Sequence, residues 1–186
     1  IPEHTPFLVE WSHSDNIEVF EHVFEYANNG ETFDTLLTTN SFENIYEQDF
    51  QVNGVTELGT IRLTVLDRNG NQTTTLSNPF SVTDNTPPMI EISSPYNGVG
   101  FNIGDSVQIT WSDYDNVGVE FVNIYYSIGS DWYIIDEIIE NNNFFNWIVP
   151  NEPTENLQIR VVGLDAAGLS DTSVVEDLSI NIIYPK

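Results

Sequence analysis

The chain has 186 residues and no cysteine, and it sets four Lys plus Arg against 29 Asp plus Glu, a formal net charge of -25. Composition therefore removes disulfides, thiol catalysis and Cys-ligated zinc, and it argues against nucleic acid and anionic lipid as partners, since both need clustered cations. No stretch is long and apolar enough to span a bilayer, no secretory leader is visible, and the first residue is Ile1 rather than Met, so the chain reads as a processed or excised piece of something longer.

Period-two alternation dominates from the start, and helical periodicity is almost absent. Phe7, Val9 and Trp11 alternate with Leu8 and Glu10, and strands are expected over Val19–Tyr26, Phe33–Leu37 and Ile45–Val52. Ile61, Leu63 and Val65 alternate next, and Thr74–Val82 follows as one strand. Asp84-Asn85-Thr86-Pro87-Pro88 then forms a boundary, because paired prolines stiffen the backbone into a short, semi-rigid connector. Beyond it come Met89–Ser93, an alternating run at Val107, Ile109 and Trp111, Phe121–Ser127, Trp132–Ile139, Phe144–Val149, a second alternating run at Leu157, Ile159 and Val161, and Val174–Ile183. Asn28-Asn29-Gly30, Asn69-Gly70 and Asn97-Gly98 supply turn residues that tolerate left-handed backbone. Short strands separated by such turns predict an all-β sandwich.

The chain also repeats itself. Trp11-Ser12-His13-Ser14-Asp15-Asn16 recurs as Trp111-Ser112-Asp113-Tyr114-Asp115-Asn116, and Ile61-Arg62-Leu63-Thr64-Val65-Leu66-Asp67 recurs as Ile159-Arg160-Val161-Val162-Gly163-Leu164-Asp165. Two tandem domains are expected, 1–83 and 84–186. They are unequal, because the first has too few residues ahead of its Trp for a complete N-terminal strand. Either the strand was lost with the rest of a longer chain, or another chain fills its place.

The second copy resembles the fibronectin type III/immunoglobulin-like repeats of secreted and cell-surface bacterial proteins. The residues carrying the resemblance are Ile92-Ser93-Ser94-Pro95, Gly104-Asp105-Ser106-Val107-Gln108-Ile109-Thr110-Trp111, Val122-Asn123-Ile124-Tyr125-Tyr126-Ser127, Trp147-Ile148-Val149-Pro150 and Ile159-Arg160-Val161-Val162. The first copy keeps Trp11, Arg62 and Asp67 but lacks a Trp-x-Val-Pro run. The resemblance implies a seven-stranded sandwich in an accessory role, as spacer, adhesion module or appendage, with no catalytic residues.

In such a sandwich the entering connector, the loop between the second and third strands, and the last hairpin loop gather at one pole. That pole would collect Asp84, Asn85, Asp113, Asp115, Asn116, Asp165 and Asp171, with no Lys or Arg among them. Calcium takes six to eight oxygens in loose geometry and suits this inventory better than magnesium does. The corresponding set in the first copy is Asp15, Asn16, Asp67 and Asn69, with fewer charges. The competing reading is that these Asp and Asn residues serve only their own turns by bonding local backbone.

Trp11, Trp111, Trp147, Arg62 and Arg160 read as structural, the tryptophans in the core and each Arg laying its stem on the sheet with its head toward a carboxylate. Trp132, Tyr133 and Tyr125 are candidates for a sugar-stacking face or for cross-strand packing. No nucleophile elbow and no zinc-type His spacing is present, so no enzyme is expected. The expected function is a calcium-stiffened spacer or adhesion segment, secreted or on a cell surface, whose partners are other domains of the same longer chain and a surface glycan or protein. The alternatives are a carbohydrate-binding accessory module and a strand-exchanging fibre subunit.

Overall fold

The computed structural model describes residues 1–16, 18–40 and 45–182, with backbone alone for residues 45–49 and 138. It divides into two units, Ile1–Asn85 and Thr86–Lys186. All regular structure among the described residues is β, as the alternating pattern predicts. No helix among them is long and apolar enough to cross a membrane.

The second unit is a β-sandwich of eight strands: β8 (Met89–Ser94), β9 (Gly100–Asn102), β10 (Ser106–Tyr114), β11 (Val119–Ser127), β12 (Trp132–Glu140), β13 (Phe144–Ile148), β14 (Thr154–Asp165) and β15 (Ser170–Asn181). One sheet has the order β13-β10-β8 and the other β12-β11-β14-β15-β9. All pairings are antiparallel except β9, which runs parallel to β15. Along β14 every second residue from Leu157 to Asp165 is buried, so one face of the strand builds the core and the other meets solvent. Ile109, Trp111, Val122, Ile124, Trp147, Leu157, Ile159, Val161, Leu178 and Ile180 fill the space between the sheets. Each such buried aliphatic side chain contributes about 1.5–3 kcal/mol of transfer free energy.

The first unit comprises β1 (Phe7–Ser12), β2 (Val19–Ala27), β3 (Asp34–Thr39), β4 (Ile45–Phe50), β5 (Thr56–Asp67), β6 (Gln72–Leu76) and β7 (Phe80–Val82). One sheet has the order β3-β2-β5-β6, with β7 also on β5, and the other is the pair β1-β4. Its smaller core gathers Phe24, Tyr26, Phe50, Val52, Ile61, Leu63 and Val82. Pro2 bridges Thr83 in parallel, as β9 lies parallel to β15, so the first unit opens at the position of β9. The place that β8 takes beside β10 has no counterpart beside β1 among the described residues. That is the incomplete N-terminal strand expected from the sequence.

One expectation is corrected and one strand is added. Thr74–Val82 is two strands, because Pro79 offers no backbone donor and the Ser77 hydroxyl turns to the Asn78 carbonyl. The parallel β9 was too short to show an alternating pattern. For the predicted strand Val174–Ile183, Ile183 lies outside the described residues.

Candidate metal centre

Asp165 ends β14 and opens the hairpin to β15. Its amide donates to the Leu169 carbonyl at 3.1 Å, and Leu169 N–H donates back to Asp165 Oδ1 at 2.8 Å. The turn closes because Gly168 adopts φ 84, which side-chain-bearing residues rarely adopt. The side chain is only 4% exposed, and its second oxygen, Oδ2, is buried without a hydrogen-bond partner. A buried carboxylate oxygen with nothing to accept from is costly and demands an explanation.

Asp115 repeats the arrangement in the loop after β10. Its Oδ2 accepts from Val117 N–H at 2.9 Å and Gly118 N–H at 2.8 Å, while its Oδ1 is buried without a partner. Asp84 lies on the connector that runs through Pro87 and Pro88 into β8. Within the second unit, one carboxylate oxygen of Asp115 and one of Asp165 lie within 4.8 Å of each other. At that separation the two like charges repel by about 3–4 kcal/mol at an effective dielectric of about 20.

The arginines are engaged elsewhere. Arg62 makes a two-pronged ion pair with Glu25, at 2.6 and 2.7 Å, and its guanidinium lies 4.1 Å from the centre of the Phe33 ring. The Arg62 hydrogen bonds hold the Glu25 carboxyl below its ordinary pKa. Arg68 bonds Glu18 at 2.6 Å. The guanidinium of Arg160 lies 4.4 Å from the Tyr125 ring and 4.3 Å from the Trp132 ring. Lys186 lies outside the described residues, so no described Lys or Arg is left over to neutralise the three aspartates.

The other residues of the predicted pole have different neighbours. Asp171 Oδ2 accepts from Ile90 N–H at 3.0 Å and so fastens β8 to β15. Asp113 Oδ1 accepts from the side-chain amide of Asn143. Asn85 and Asn116 are exposed. In the first repeat Asp67 accepts from Asn69 N–H and Asn71 N–H, both at 2.8 Å, and from Asn71 Nδ2 at 2.7 Å. These bonds, the Asn71 side chain first, hold its pKa below the usual carboxylate range. Asp15 accepts from Asn16 N–H at 2.7 Å. No acidic group of three forms in the first repeat among the described residues.

Of the aromatic candidates, Tyr125 and Trp132 enclose Arg160, so the expected carboxylate partner of Arg160 is corrected to two rings. Tyr125 and Arg160 are cross-strand partners on β11 and β14, a pairing that sequence spacing alone does not reveal. Tyr133 is 45% exposed and stacks on Tyr126 with ring centroids 5.4 Å apart. The sequence also gave no hint that His13 and His22 meet. His22 Nε2 lies 3.1 Å from His13 Nδ1, and the His22 ring is fully buried against Trp11. Burial, and then the charge of His13, lower the His22 pKa.

No protein-family model and no curated protein matches the chain. Among solved structures it is similar to the Clostridium thermocellum CbhA fibronectin(III)-like modules, at 15% identity over 97% of this chain and 88% of that one, with a TM-score of 0.45. It is also similar to the chicken CNTN1 FN1-FN3 domains, at 10% identity over 93% of this chain and 63% of that one, with a TM-score of 0.45. A Ca2+-stabilized adhesin of an Antarctic bacterium that binds ice is similar at 15% identity over 94% of this chain and 43% of that one, with a TM-score of 0.35. The chain spans less than two thirds of the length of the last two. These likenesses assign no residue a role.

Proposed function

We propose that the chain is a non-catalytic, two-module segment of a larger extracellular protein, and that a calcium ion held by Asp84, Asp115 and Asp165 stiffens the connector. The observation that carries this reading is the buried, unpartnered Oδ2 of Asp165 beside the carboxylate of Asp115. A hard, oxygen-seeking divalent cation resolves both problems at once, since it satisfies the orphan oxygens and turns mutual repulsion into shared attraction. Asp115 and Asp165 each spend one oxygen on their own loop, which holds the other in place before any ion arrives. Backbone carbonyls and water would complete a calcium shell that three monodentate carboxylates leave open.

On this reading the cation is structural and the module performs no chemistry. Its partners are neighbouring domains of the same longer chain, and its setting is secreted or cell-surface, where calcium is abundant enough for a site of modest charge. The carbohydrate-binding alternative is weaker, because the rings of Tyr125 and Trp132 are already covered by Arg160.

Isothermal titration of the metal-stripped protein with calcium tests the proposal. One site of modest affinity is expected, lost in Asp165→Asn and retained in Asp67→Asn. Heat of binding absent in the wild type, or unchanged in Asp165→Asn, would refute it.

A further inference from the structure

His13 and His22 meet across the two sheets of the first unit. His13 follows directly on β1, in the pair β1-β4, and His22 lies on β2, in the sheet β3-β2-β5-β6. Nε2 of His22 and Nδ1 of His13 are 3.1 Å apart, while the ring centroids are 4.9 Å apart. The nitrogens thus stand closer than the ring centres, and the rings tilt at 48° instead of stacking face to face. Two nitrogens 3.1 Å apart, each about 2.0–2.1 Å from a common zinc ion, subtend roughly 100° at it, between the octahedral and the tetrahedral angle.

The second repeat shows that the fold needs no imidazole at this place. His22 faces Val65, just ahead of Asp67, as Val122 faces Gly163, just ahead of Asp165, so Val122 takes the position of His22. Both side chains are fully buried. Trp11 and Trp111 align, so Asp113 takes the position of His13. One repeat fills the buried position with an apolar side chain, while the other buries a polar ring there, which costs free energy that a bound partner offsets. Trp11 packs on the His22 ring at 5.9 Å between centroids and on Phe24 at 4.5 Å, and so holds the imidazole in place. His13 is half-buried and lines a cleft of about 400 Å³ together with Ser12, Ser14 and Asp15. That cleft gives room for water beside the pair and brings the Asp15 carboxylate to the same opening.

We propose that His13 and His22 hold a late first-row divalent ion, zinc among them, with Asp15 and water in the cleft as the remaining ligands. Imidazole suits such ions, whereas calcium takes oxygen, so this site differs in chemistry from the acidic residues of the second unit. The ion and the hydrogen bond between the rings compete for the same two nitrogens. On binding, the shared proton moves to the far nitrogen of its own ring, which leaves both imidazoles neutral and ligating. With one ligand from each sheet, the ion ties the two sheets together and stabilises the first unit.

The test is calorimetric titration of the whole chain with zinc in millimolar calcium, which leaves the acidic residues to calcium. Zinc is expected to bind, to raise the melting temperature of the first unit, and to bind roughly tenfold or more weakly to His13→Gln. His4→Gln, at an exposed histidine, is expected to bind zinc as the wild type does. Melting curves verify that both variants fold. Imidazole ¹⁵N resonances of the wild type give a reading that depends on no variant: zinc is expected to shift Nδ1 of His13 and Nε2 of His22 and to leave His4 in place. No binding at millimolar zinc, unchanged affinity in His13→Gln, or an equal loss in His4→Gln overturns the proposal. So do His13 and His22 resonances that stay in place while zinc is bound.

Discussion

Asp67 and Asp165 occupy the same position in the two repeats and spend their oxygens differently. Asp67 accepts three hydrogen bonds from Asn69 and Asn71 across both oxygens. Asp165 has Ala167 and Leu169 at the equivalent positions, gives one oxygen to the Leu169 amide, and keeps the other buried without a hydrogen bond. Leu169 stands where Asn71 stands and brings no side-chain amide, so the donor that serves Asp67 Oδ2 has no counterpart at Asp165 Oδ2.

The two aspartates should therefore separate in a thermal assay. Asp165→Asn is expected to abolish a calcium-dependent rise in Tm, which for a site at 100-fold saturation corresponds to about 2.7 kcal/mol. Asp67→Asn is expected to lower the melting temperature of the first unit by the same amount with calcium and with chelator. Differential scanning calorimetry of both variants checks this.

The paired histidines predict a pH effect confined to one unit. The folded pKa of His22 is depressed below its ordinary value of 6.5, so the folded state binds fewer protons than the unfolded state. That contribution is complete above the ordinary value and is lost as the pH falls toward the folded pKa. All three histidines lie in the first repeat, so between about pH 7 and about pH 5 the first unit should lose more stability than the second. Unit-resolved hydrogen exchange at the two pH values measures it.

Core substitution should show that the second unit is held by its inter-sheet layer. Ile159 is fully buried, and Ile159→Ala is expected to cost about 2–5 kcal/mol in denaturant melts. Gly59→Ala acts in the first unit by a different route. A Cβ there would stand 2.9 Å from the Phe80 carbonyl oxygen, so β7 must move or β5 must bend. A lower melting temperature of the first unit alone is the expected result.

Arg160→Met should uncover the Tyr125 and Trp132 rings and change Trp132 fluorescence while leaving calcium binding intact. If the cation covers the rings as the distances indicate, binding to simple sugars stays absent in the wild type.

Strand positions were legible because one face of each sheet is buried, which writes a period of two into the chain, as in Leu157, Ile159 and Val161. The repeat made the unequal first strand legible as well. Which acids converge was only partly readable. Asp113, Asp115, Asp165 and Asp171 are alike in sequence, but their hydrogen-bond partners lie in different strands and loops. Asp171 serves Ile90, 81 residues away, and no local pattern carries that information. The same holds for Tyr125 and Arg160, whose contact depends on the register between β11 and β14.

The central claim is that a cation at Asp84, Asp115 and Asp165 makes the connector rigid. Amide ¹⁵N relaxation of the whole chain, with millimolar calcium and again with chelator, addresses it most directly. The account predicts a common rotational correlation time for both units in calcium and separate, shorter times once calcium is removed. Independent tumbling of the two units in saturating calcium would contradict it.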